Sequence, residues 1–314
     1  MVAIEHTVRL SGDNHFGTKA PPLAPAILLR QLPDVLRQCV LMAFEGRTAP
    51  RGRPPRWLEQ SADIRFVGIS GNDDTVLHFE VPTLGEAADE IFVQTELWNT
   101  RPDPGDTCFD LLGDVILDVQ NENVDSNRFD SRLLKKFKRF DQAIGKDYRS
   151  ISLFGHRFSI TPAIINETTV ANASRMVHGT PSPNRVRVVG TLDMIRASTE
   201  AFAIKLDDGQ EVSGVIAGGD IENLSTLWQQ RVLVLGDAIY RPSGSLLRID
   251  AEQISIIDDA SSMWSKMPKA TRRPSDRTKL VRPQGPKSGL AAIIGKWPGD
   301  ETDEEIDEAM RQLS

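Results

Sequence analysis

Apolar and polar residues alternate along this chain with two different periods, and the change of period divides it. From Pro25 to Phe44, Ile27, Leu28, Leu32, Val35, Leu36, Cys39, Val40 and Ala43 recur every three to four positions, which predicts a helix that Pro33 is placed to kink. Ile64 to Ile69 and Thr75 to Val81 predict a pair of strands around Gly71-Asn72-Asp73-Asp74, and Ile151 to Phe154 a further strand. Between them, Cys108 to Val119 and Phe129 to Ile144 predict two helices, the first with a wide apolar face made by Leu111, Leu112, Val115, Ile116 and Val119. Arg47 to Arg56, rich in Arg, Pro and Gly, predicts an exposed loop. Residues 1–180 are therefore expected to form an α+β domain, a modest sheet covered on one side by helices.

After Asn184 the pattern becomes short and strand-like. Val186 to Leu192, Ala201 to Leu206 and Glu211 to Ile216 predict three strands, the last two joined by Asp207-Asp208-Gly209-Gln210, a strong hairpin signal. Asp220 to Gln230 has helical spacing at Ile221, Leu224, Leu227 and Trp228, and two more strands are expected at Arg231 to Tyr240 and Leu246 to Ile257. The order βββ-α-ββ over residues 184–258 resembles an OB-type five-stranded barrel. Such barrels often stack single-stranded nucleic acid on exposed aromatics in a basic groove. Here Phe202 and Trp228 fall at positions expected to be buried, leaving Tyr240 as the one candidate platform, and the segment carries seven basic against ten acidic residues. That balance favours a packing or protein-contact module over an oligonucleotide binder.

Beyond the barrel no core-forming pattern continues. Residues 259–288 read as a linker broken by Pro268, Pro274, Pro283 and Pro286; from Met263 to Lys287 it holds eight basic residues and one acid, a net of +7. Arg272, Arg273, Arg277 and Lys279 are its candidates for contact with nucleic acid. Residues 289–314 form an acidic tail, in which Lys296 and Arg311 stand against seven acids, a net of −5. Thr302 and Glu305 have the spacing of a capping box, so a short helix is expected to begin there. Ile306, Ala309, Met310 and Leu313 then fall on one stripe. A helix of about ten residues is marginal alone in water and needs a surface to lie on. Ile294, Lys296, Trp297, Ile306, Met310, Arg311 and Leu313 are therefore candidate partner-binding residues.

The run Gly295-Lys296-Trp297-Pro298-Gly299-Asp300-Glu301-Thr302-Asp303-Glu304-Glu305-Ile306 resembles C-terminal segments of small bacterial antitoxins encoded beside toxins with a PIN-type ribonuclease domain. The resemblance implies a protein partner, a PIN-domain toxin, with Lys296 or Arg311 entering the carboxylate cluster that holds the toxin's catalytic metal. It covers this segment only; no DNA-binding helix pattern stands near Met1.

Composition changes little. A net charge of −7 argues against a protein whose main business is coating nucleic acid. No apolar run reaches the length needed to span a bilayer, and Met1 to Leu10 lacks the order of a signal peptide, so a cytoplasmic protein without membrane attachment is expected. Cys39 and Cys108 are expected to be buried free thiols. His6, His15, His78, His156 and His178 form no metal-binding pair in sequence, and nucleophile turns, phosphate loops and dinucleotide fingerprints are missing, so neither enzymatic activity nor a cofactor is expected. Asp110, Asp114 and Asp118 are spaced along one side of a predicted helix, as a cation-binding row or, more simply, a solvated polar stripe. A cleft gathering such carboxylates would reopen the enzymatic alternative.

Overall fold

The computed structural model describes residues 3–50, 52–92, 102–145, 147–196, 199–216, 224, 226–257 and 265–270. Two sheets with separate cores make up this mixed α and β chain. The first sheet runs in the order β2(Arg65–Ser70)-β3(Thr75–Pro82)-β1(Ala3–Ser11)-β4(Ser150–Phe154)-β5(Ala163–Asn166), with every neighbouring pair antiparallel. Its centre is β1, to which the sequence reading assigned no element. Along β1, His6, Val8 and Leu10 are buried and alternate with outward Glu5, Thr7 and Arg9, the period-two pattern of a sheet with one covered face.

That covered face carries α1(Leu23–Glu45) and α5(Cys108–Gln120), whose apolar stripes fill one core with β1, β3 and β4. Helix α1 passes through Pro33 and ends at Gly46, which adopts φ 67° and donates its N–H to the Met42 carbonyl. Helix α2(Arg56–Ser61) and the single turns α3(Leu84–Ala87) and α4(Asp89–Phe92) close one end, and α7(Glu167–Gly179) packs beside α5. The predicted helix from Phe129 to Ile144 is instead α6(Ser131–Phe137), capped by Asp130, followed by a tighter 3-10 turn at Lys138–Gln142. The loop after α1 is not wholly exposed as expected: Arg47 and Thr48 are buried, because each finds a carboxylate partner inside the fold.

The second sheet is a closed barrel, β10(Leu246–Ile256)-β8(Glu211–Ile216)-β7(Ala201–Lys205)-β6(Asn184–Arg196)-β9(Arg231–Tyr240), closed by β9 against β10. The third and fifth strands of the barrel, β8 and β10, pair in parallel, and the other pairings are antiparallel. This is the OB-type order expected from the sequence. Of the predicted helix from Asp220 to Gln230, residues 220–223 and 225 lie outside the described residues, and Thr226–Gln229 is turn rather than helix. Two aromatic expectations are reversed. Tyr240 is buried, its hydroxyl donating to the Lys269 carbonyl at 3.2 Å, whereas Trp228 lies exposed with its indole N–H on the Asp193 carbonyl. A stacking platform at Tyr240 is thereby removed.

Sheet, helices and barrel belong to one compact unit, Met1–Thr271. Among the described residues no helix is long and apolar enough to cross a membrane. Arg272, Arg273, Arg277, Lys279, Ile294, Lys296, Trp297, Ile306, Met310, Arg311 and Leu313 all lie outside the described residues.

Candidate functional site in the cleft between sheet domain and barrel

The start of α5 sets the first wall of the site. Thr107 is its N-cap and Asp110 the third helical residue, and the two form a reciprocal capping box. Asp110 is fully buried: its Oδ2 accepts from the Thr107 amide at 2.9 Å and the Thr107 hydroxyl at 2.8 Å, and its Oδ1 accepts from the Arg157 amide at 3.1 Å. The Thr107 hydroxyl also meets His6 Nε2 at 3.0 Å. A hydroxyl carries one proton, so when Thr107 gives it to Asp110, His6 must face it as the Nε2–H tautomer. His6 is stacked on Phe109, ring centroids 4.9 Å apart, and burial lowers its pKa to about 4 against the opposing pull of Asp110. Gly155 makes this stacking possible, since a Cβ there would come within 1.8 Å of the His6 ring.

The acids along α5 are neither a solvated stripe nor a metal row. Arg157 reaches Asp114 through Nη2 at 2.6 Å and Asp106 through Nε at 3.2 Å, and Arg128 reaches Asp118 at 2.9 Å. Ser126 gives Asp118 a second donor at 2.6 Å. Carboxylates that sequence spacing alone would align are thus interleaved with guanidinium groups from other segments. Burial raises the Asp106 pKa, and Arg157 opposes that rise. Asp106, Asp110 and His156 do bring one ligand atom each within 4.8 Å of one another. Both Asp110 oxygens already accept protein hydrogens, and Arg157 supplies positive charge beside Asp106 and Asp110. Asp106 of this cluster and Arg157 line the cleft beside it.

Asp106, Asp114, Arg128 and Arg157 line one side of a cleft of about 700 Å³, together with the end of α1 at Phe44 and Glu45. Its other side is the barrel: Ala201 and Phe202 on β7, Ser213 and Gly214 on β8, and Leu247 and Arg248 on β10. The size is within the range of small-molecule sites. A smaller groove of about 440 Å³ lies between α1 and the 3-10 turn, crossed by the Lys136–Asp34 ion pair.

Loops of the barrel hold this arrangement. In the β9–β10 loop, the Ser243 amide donates to the Val124 carbonyl at 3.2 Å, Arg241 Nε to Asn127 at 2.9 Å, and the Ser245 hydroxyl to Asp125 at 3.0 Å. At the β6–β7 loop, Glu200 meets Arg47 at 3.4 Å. Deeper, Arg248 binds Asp130 at 3.2 Å and Asp250 at 2.7 Å, while Thr48 donates to Asp130 at 2.7 Å. Arg47 also pairs with Glu45 at 2.6 Å; burial raises the Glu45 pKa and Arg47 counters it. In an OB-type barrel the face of the second and third strands and the loops between strands one and two and strands four and five are the nucleic-acid surface. Here those same parts face the sheet domain.

The spacing of Asp110, Asp114 and Asp118 is visible in the sequence, whereas Arg157 and Arg248 lie far from them in the chain, and Arg128, ten residues after Asp118, carries no spacing signal. Comparison with protein-family models, with curated proteins and with solved structures gave no match.

Proposed function

We propose that this chain is a protein-binding factor whose recognition element is its C-terminal segment, with the sheet domain and barrel as the body that carries it. The supporting observation is the orientation of the barrel: its β7–β8 face and its β6–β7 and β9–β10 loops are directed at the sheet domain through Glu200, Arg241, Ser243 and Ser245. The β6–β7 and β9–β10 loops are occupied by these contacts and the β7–β8 face lines the cleft against the sheet domain, which disfavours the oligonucleotide reading of the barrel. In the tail, Trp297 offers one apolar anchor and Ile306, Met310 and Leu313 offer a stripe at helical spacing, in a segment whose expected helix of about ten residues is too short to be stable alone. The resemblance of Gly295–Ile306 to antitoxin segments makes a PIN-type ribonuclease the partner of choice, with Lys296 or Arg311 directed at its metal-binding carboxylates.

The test is co-purification from the native host of the full chain and of a chain ending at Ser288. We expect one specific partner with the first and a loss of at least tenfold with the second, since truncation removes several anchors each worth about 1–2 kcal/mol. Equal recovery from both would sink the reading.

A further inference from the structure

We propose that the uncovered face of the first sheet carries a serine nucleophile, Ser70, which His78 and Glu5 activate for the cleavage of small carboxylic esters by acyl transfer. Ser70 Oγ lies 2.6 Å from His78 Nε2, and His78 Nδ1 lies 2.9 Å from Glu5 Oε1. The register of three strands produces this line. Gly68 of β2 stands opposite His78 of β3, and His78 opposite Thr7 of β1. Ser70 and Glu5 are each two positions from those partners, displaced in opposite directions, so the three side chains share one face and meet across its diagonals. A carboxylate only accepts, so Glu5 holds a proton on Nδ1 and leaves the Nε2 lone pair turned to the Ser70 hydroxyl. That is the proton order of a nucleophile, its base and the group that orients the base.

The group is open to a substrate. The side chains of His78 and Glu5 are 26% and 65% exposed, and a Cβ on Gly68 would meet no atom within 4 Å, so the space beside the imidazole is vacant. Strand β2 is the sheet edge, and every second amide of an edge strand points away from its one neighbour, which offers an N–H at or beside Ser70 to a developing oxyanion. Val76, directly opposite Ser70 in register, gives the acyl group an apolar neighbour. An uncovered face grips little of a long substrate, which selects small esters with good leaving groups over peptides. In the first step Ser70 Oγ attacks the ester carbonyl carbon as its proton passes to His78 Nε2; the bond from that carbon to the alcohol oxygen breaks, and the alcohol leaves with the proton. Water then attacks the acyl-serine and gives a proton to His78, which returns it to Ser70 Oγ as the carboxylic acid departs. Glu5 touches no substrate and acts as a positioning residue.

The experiment treats the full chain with a fluorophosphonate, maps the adduct by peptide mass spectrometry, and follows hydrolysis of p-nitrophenyl acetate. Phosphonylation of Ser70 with loss of fluoride is expected, and Ser70→Ala should abolish both the adduct and the ester turnover. His78→Gln should slow both by about 100-fold, the lower end of what a general base contributes. In Glu5→Gln the amide donates to Nδ1 and turns a protonated Nε2 toward Ser70, so kcat should fall at least about tenfold with KM unchanged, and Glu5→Asp should recover part of the loss. Melting temperatures equal to that of the parent chain are expected for all four variants, and the adduct map of the unaltered chain decides the matter for any variant that fails to fold. Absence of an adduct at Ser70, an adduct spread evenly over several serines, or turnover that Ser70→Ala or His78→Gln leaves unchanged overturns the proposal and leaves the three residues as a polar network of the sheet surface.

Discussion

His6 shows how one residue can make a domain sensitive to acid. It is stacked on Phe109 and bonded to Thr107, and its burial lowers the pKa to about 4 from 6.5. The native state therefore binds fewer protons than the unfolded chain between those two values, and stability rises with pH across the window. The contribution is complete above about pH 6.5 and is lost as pH falls toward 4; the shift corresponds to about 3 kcal/mol. Urea unfolding between pH 4 and 7 should show this slope, and His6→Gln should flatten it; an unchanged slope in the variant would place the acid sensitivity elsewhere. The two thiols behave consistently with the sequence: Cys39 and Cys108 are buried and free, and burial pushes both pKa values well up, which leaves them poor nucleophiles. Nothing in the sequence around His6 announced its role, because its partners Thr107, Phe109 and Gly155 are brought to it by the sheet and not by spacing.

Among the elements, β2 stands out as the exposed edge of the first sheet. Phe66, Val67 and Ile69 are 45%, 58% and 41% exposed, and the strand slips register between Phe66 and Gly68, leaving Val67 at a bulge. Unpaired backbone groups beside apolar side chains invite pairing with another chain. Val67→Lys should lower self-association at high concentration, as read by light scattering, while changing unfolding free energy by no more than about 0.5 kcal/mol. An unaltered scattering profile would show that the bulge alone already protects the edge. Elements with strong local patterns were legible: α1, α5, β3 and the barrel strands all follow their apolar periods. Strand β1 escaped notice because its inward row begins with His6, a residue that hides the alternation. Likewise β5 and α7 carry short or weakly apolar patterns, and a capping box at Asn166 and Thr169 fixes where the helix starts.

For the whole molecule, the decisive feature is that two separate cores meet through polar contacts. The barrel is held by Arg241, Ser243 and Ser245 at the rim and by the Arg47–Glu200 and Arg248–Asp130 ion pairs beneath. Replacing Arg241 by Ala together with Ser245 by Ala should loosen this attachment while leaving both cores packed. Calorimetry is then expected to resolve two transitions where the parent chain shows one, and a single undisplaced transition would mean that the buried ion pairs suffice. The amino-acid sequence by itself determined the fold class and the barrel order, because side-chain periodicity and turn chemistry act over a few residues and need no distant partner. It also carried the polarised charge of residues 259–314, which is a matter of composition. Only the tertiary structure decided which barrel face is covered and which arginine neutralises which aspartate. Those depend on residues such as 47, 130, 157 and 248 being brought together from distant parts of the chain, and the free energy that selects their pairing exists only once water has been excluded between them.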